Sequence, residues 1–140
     1  MREILFRGKR LDNGEWVDGW YQPETTIKHW NGSQETVGVT IAYKVEGGFL
    51  EDTLVDPSTV GQYTGLKGKN GKRIFEGDII KRFWLGAEII YCVRYDGENA
   101  HFIGDGLNKS GFTTFDGDGE MFEVIGNIHD NPELLKGGEG

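Results

Sequence analysis

A single cysteine, Cys92, and only three prolines stand in this chain of 140 residues. One cysteine cannot close an intrachain disulfide, and it excludes any zinc site built on several thiolates. The three histidines, His29, His101 and His129, have neither HxxxH nor HExxH spacing, so no zinc-hydrolase signature is present. Ser33, Ser58 and Ser110 lie outside any G-x-S-x-G elbow. No run approaches the about 20 apolar residues that a membrane-spanning helix requires. The start, MREILFRGKR, has no apolar stretch long enough for a signal peptide. The expectation is a cytoplasmic, reducing compartment without a membrane. Positive charge is scarce as well: 15 Lys and Arg face 23 Asp and Glu, for a net charge of −8. That balance argues against a protein that coats nucleic acid with its whole surface.

Long amphipathic segments are also missing, whereas glycine is abundant, at 23 residues. Many turns and short strands follow from that composition. Aromatic residues reach 12%, with Trp16, Trp20, Trp30 and Trp84 among them, and supply large buried areas from few side chains. Asp12-Asn13-Gly14 between ILFRGKRL and EWVDGWY is a hairpin signal, because Asn and Gly tolerate the positive φ of a tight turn. Alternation then places Trp16 and Trp20 on one face, read here as core. Residues 22–36 are polar, hold a second Asn-Gly at Asn31-Gly32, and read as a loop or a longer exposed hairpin. VGVTIAYKV reads as a strand, Gly47-Gly48 as a turn, and Asp56-Pro57 as a turn or a single helical turn.

In the second half, GDII, EIIYCVRYDG, HFIG and EVIGNI are short strands at turn-rich spacing, the pattern of a small barrel. Cys92 lies inside the second of these and reads as a buried structural thiol, not a nucleophile. Asp130 or Asn131 followed by Pro132 and ELLK starts a short C-terminal helix. The fold class expected is mainly β: an N-terminal hairpin region over residues 1–61, and a small SH3-like barrel over residues 62–140 ending in that helix. The two subdomains form one compact unit.

The stretch QYTGLKGKNGKRIFEGDII, Gln62 to Ile80, invites a phosphate-binding reading through Gly65, Gly68 and Gly71. A Walker A loop needs Gly-Lys-Ser/Thr and a following helix. Here Gly71-Lys72 precedes Arg73, which has no hydroxyl for magnesium, and a strand-like run follows. A hairpin turning at Asn70-Gly71 accounts for every residue, with Lys67, Lys69, Lys72 and Arg73 on its arms. DGDGE sets Asp116, Asp118 and Glu120 at alternate positions, like the start of an EF-hand loop. Met121 and Asn127 stand where the loop requires Gly and Glu, so the match fails. Asp96, Asp116 and Asp118 are the carboxylates a metal-dependent enzyme would use, but no spacing pairs them.

ILFRGKRLDNGEWVDGW, DPSTVGQYTGLKGKNGKRIFEGDIIK and VIGNIHDNPELL, in that order, resemble the YopX family of phage and prophage proteins. One departure is Gly68, where the family commonly carries an acidic residue; its absence leaves this hairpin more basic and, by expectation, more flexible. The resemblance implies a phage-derived protein in a bacterial cytoplasm and supplies no activity, cofactor or catalytic residue.

With no catalytic set, metal site or cofactor expected, the first functional expectation is a non-enzymatic interaction module that self-associates or binds a phage or host protein. The alternative is a nucleic-acid accessory protein. It would use Lys67, Lys69, Lys72, Arg73, Lys81 and Arg82 on phosphates, with Tyr63 or Trp84 for stacking.

Overall fold

The computed structural model describes residues 4–107, 111–115 and 119–136. The chain is mainly β, and among the described residues helical geometry is confined to short 3-10 segments. Its contacts fall into two compact units, Met1–Gln62 and Tyr63–Gly140.

In the first unit, β1 (Phe6–Lys9) pairs antiparallel with β2 (Trp16–Lys28), which pairs with β3 (Gln34–Lys44), which pairs with β4 (Leu50–Leu54). Gly61 and Gln62, the start of β5 (Gly61–Lys67), lie on the other edge of β1. Gly14 and Gly32 make the expected hairpin turns at φ 73° and 88°. Residues 22–36 thus belong to the longer hairpin. Asp56 accepts a hydrogen bond from Ser58 N at 3.0 Å and fixes the single 3-10 turn Pro57–Thr59. The buried side chains include Ile41 and Val55. Trp16 and Trp20 are not among them: Trp16 is half-buried beneath Arg7 and Lys9, and Trp20 is 44% exposed beside Lys44. Alternation put both rings on one face, but cations cover that face and not an apolar layer.

In the second unit, the rest of β5 (Gly61–Lys67) pairs with β6 (Arg73–Phe75). A five-stranded antiparallel sheet follows, in the order β10-β9-β8-β7-β11. Its strands are β7 (Asp78–Trp84), β8 (Ala87–Asp96), β9 (His101–Gly106), β10 (Phe112–Thr114) and β11 (Glu123–Asn127). The strand-like runs of the sequence become a meander, with the last strand returning beside the first. Ile79 and Ile80 are both fully buried, so β7 is covered on both faces at that point. The core cluster is Ile74, Ile80, Tyr91, Val93 and Phe122, extended by Leu66, Ile89, Phe115 and Val124. The C-terminal helix is a 3-10 segment, Pro132–Lys136, whose first bond runs from Leu134 N to Asn131 O at 3.0 Å. Asn127, at the end of β11, accepts from His129 N and Asp130 N and bends the chain into it.

Candidate functional site

The glycine-rich basic stretch is a hairpin turn. Asn70 and Gly71 take φ 65° and 73°, and Gly68 N donates to Lys72 O at 2.7 Å. The hairpin is seated on the segment 119–122: Lys69 N donates to Phe122 O at 2.9 Å. A Cβ on Gly68 would lie 2.8 Å from that same carbonyl, and one on Gly119 would lie 2.8 Å from Lys67 O. The two backbones therefore approach as closely as glycine permits. Gly68 is buried and adopts an ordinary extended φ of −83°. Its small size serves close packing rather than the added flexibility expected from the sequence.

An open cleft of about 640 Å³ lies along the turn, lined by Tyr63, Leu66, Lys67, Lys69, Gly119 and Glu120 among others. Lys67, Lys69 and Lys72 are exposed, and none has an ion-pair partner among the described residues. Arg73 is half-buried, its guanidinium carbon 5.4 Å from the centroid of Tyr63. Tyr63 is only 5% exposed and packs on Phe75 at 5.5 Å. Its ring is a core element and offers no face to a base, which corrects its place among the expected contacts.

Lys81 and Arg82 are neighbours in β7 and so point to opposite faces. Lys81 lies 3.5 Å from Glu88 and 3.4 Å from Glu123. The hydrogen bond to Glu123 is the main reason that its pKa is raised. Its charge is thus matched within the sheet by two carboxylates. Arg82 has no carboxylate partner among the described residues. Its guanidinium carbon lies 5.2 Å from Trp84, 5.6 Å from Tyr91 and 5.5 Å from Phe122 (ring centroids), and Nη1 is 3.5 Å from Met121 Sδ. Phe122 therefore joins the two halves of the predicted set: its carbonyl holds the hairpin, and its ring carries Arg82. Beyond Arg82, the β7–β8 turn at Leu85-Gly86 raises Phe83, Trp84 and Leu85 into solvent, at 63%, 55% and 92% exposure.

The sequence model of one protein family, described as YopX protein, matches residues 5–136. The chain belongs to the YopX family. Among solved structures, a similar chain is the crystal structure of protein EF1440 from Enterococcus faecalis, at 27% identity and a TM-score of 0.49. The match covers 96% of this YopX-family chain and 99% of the other. No curated protein matches.

Elsewhere in this YopX-family chain, the groups that carry chemistry are dispersed. Among the described residues no three His, Cys, Asp or Glu side chains are grouped as a metal would need. Asp116 and Asp118 lie outside the described residues. His29 and His101 contact Glu35 and Asp96, at 3.2 and 3.5 Å. Among the described residues no helix is long and apolar enough to cross a membrane. Burial pushes the Cys92 thiol above its ordinary pKa, with smaller contributions from Asp105 and Asp78. A raised pKa leaves less thiolate at any given pH. Iodoacetamide at pH 8 is thus expected to alkylate the folded protein more slowly than the urea-unfolded chain, with the rate rising at higher pH. Equal rates in a timed mass-spectrometric assay would show Cys92 to be an open, ordinary thiol.

Proposed function

We propose that this YopX-family chain is a phage- or prophage-derived, non-enzymatic interaction module that self-associates in the cytoplasm of a bacterial host. The observation that carries the reading is the β7–β8 tip, where three consecutive large apolar side chains stand in water. Isolated surface hydrophobes are ordinary, but three large ones at the end of one hairpin, on both of its faces, offer apolar area of the kind that interfaces use. Trp30, 99% exposed beside the turn at Gly32, gives the first unit a similar feature. The SH3-like reading of the second unit belongs to the same proposal, and its support is the return of β11 to the side of β7. Static light scattering across micromolar concentrations is expected to show a mass that rises with concentration. The double variant Trp84→Ser with Leu85→Ser lowers it. A mass fixed at one chain throughout removes the self-association.

A second reading, a nucleic-acid accessory role, is favoured by one observation: Lys67, Lys69 and Lys72 line one turn without carboxylate partners among the described residues. On this reading oligothymidine binding weakens steeply with salt, and Lys72→Glu with Arg73→Glu reduces it. An oligonucleotide that leaves the protein unshifted at low salt ends that reading.

A further inference from the structure

We propose that the surface around residues 119–122 docks a protein segment carrying a carboxylate beside an apolar side chain. The carboxylate meets the Arg82 guanidinium, and the apolar side chain packs on Trp84 and Met121. This deepens the interaction-module reading and rests on it.

The argument begins with the mismatch between neighbours in β7. Lys81 has two carboxylates, whereas Arg82, one residue on, has none among the described residues. The chain has 23 acidic residues against 15 basic ones, so carboxylates are not in short supply. A guanidinium presents five donors in a rigid fork. Here its flat face is taken by aromatic rings, and among the described residues one edge meets only a thioether and the buried Nε has no hydrogen bond. Sulfur is a weak acceptor, so the fork's capacity for a bidentate carboxylate is unused. The rings also hold the side chain in place, which lowers the ordering cost on binding.

The surroundings suit a protein segment. Trp84 is 55% exposed and Met121 50% exposed. Aromatic residues, Met and Arg are the types enriched in interface cores, and Met adapts its shape to what lands on it. Lys69, whose N–H donates to Phe122 O, and Lys67 line the cleft along the neighbouring turn, where they would speed the approach of an acidic partner. A single-stranded nucleic acid needs a succession of exposed stacking faces. This surface offers one exposed ring, Trp84, and Arg82 already covers part of it. Aliphatic and thioether contacts from Leu85 and Met121 match side chains better than bases.

The test uses the full chain and fluorescence anisotropy at low salt. The probe is a fluorescein-labelled octapeptide, Glu-Glu-Phe-Glu-Glu-Leu-Glu-Glu, compared with its Gln-for-Glu counterpart and with oligothymidine. The acidic peptide is expected to bind best. Arg82→Gln weakens it by about tenfold or more, since a charge-paired contact is lost. Lys28→Gln, in the other unit, leaves it unchanged. Arg82 also covers core rings, so Trp84→Ser and Lys69→Gln are measured beside it, and each weakens binding. The Arg82 Nε–H resonance of the unaltered protein shifts when the peptide is added, a readout that needs no variant. Equal binding of the Gln peptide, preference for oligothymidine, or an unmoved Arg82 resonance overturns the proposal. If the peptide fails while light scattering shows self-association, the module reading stands and this surface is not its acceptor.

Discussion

Phe122→Ala is expected to lower the unfolding free energy of the Tyr63–Gly140 unit by about 4 kcal/mol. Phe122 is 2% exposed, and its ring meets Phe115 at 5.2 Å and Tyr91 at 6.2 Å, both edge to face. Truncation removes buried apolar area and both ring contacts, and leaves a cavity beneath Arg82. The guanidinium loses one of its supports, so the defect reaches the candidate surface as well as the core. Phe83→Ala, at the exposed tip, serves as the control and is expected to change stability by less than about 0.5 kcal/mol. Urea denaturation followed by tryptophan emission and far-ultraviolet circular dichroism measures both. A loss below about 1 kcal/mol for Phe122→Ala would mean that the ring is not part of a close-packed interior.

Asp78→Ala is the second large effect, about 3 kcal/mol of lost stability. The side chain of Asp78 is buried, and its Oδ2 accepts from Phe75 N at 2.8 Å, closing the turn between β6 and β7. Gly77, at φ 85°, makes that turn and donates to Val93 O at 2.9 Å. Removing the carboxylate takes away the acceptor of a buried backbone hydrogen bond next to the fully buried Ile74, and the loss of a buried bond of this kind is costly. Asp78→Asn retains an acceptor oxygen and is expected to cost clearly less than Asp78→Ala in the same urea titration. If the two variants were equally destabilised, the bond to Phe75 would not be the source of the effect.

The turns were legible in the sequence wherever the residue type itself signals positive φ. Asn13-Gly14, Asn31-Gly32 and Asn70-Gly71 all became hairpin turns. Leu85-Gly86 went unread because leucine is a poor marker of the φ 52° that it adopts. The exposed tip Phe83-Trp84-Leu85 therefore does not stand out in the sequence as a unit, although Trp84 alone does. Period-two alternation tells which side chains share a strand face, not what covers that face. Trp16 and Trp20 therefore read as core although one is only half-buried and the other exposed, and Tyr63 reads as a contact although it is buried. Phe122 precedes β11 and carries no local signal; only tertiary pairing with the hairpin and with Arg82 reveals it. Pairing of carboxylates is likewise invisible in the sequence, where Lys81 and Arg82 look alike.

Hydrogen exchange at the amides of residues 83–86, followed across a concentration series of the full chain, reads directly whether the tip is the self-association surface. An interaction module that uses this tip is expected to gain protection there as concentration rises, and to lose that gain when Leu85 becomes Ser. Exchange at the tip that stays fast and independent of concentration, while protection builds on another surface or nowhere, would contradict it.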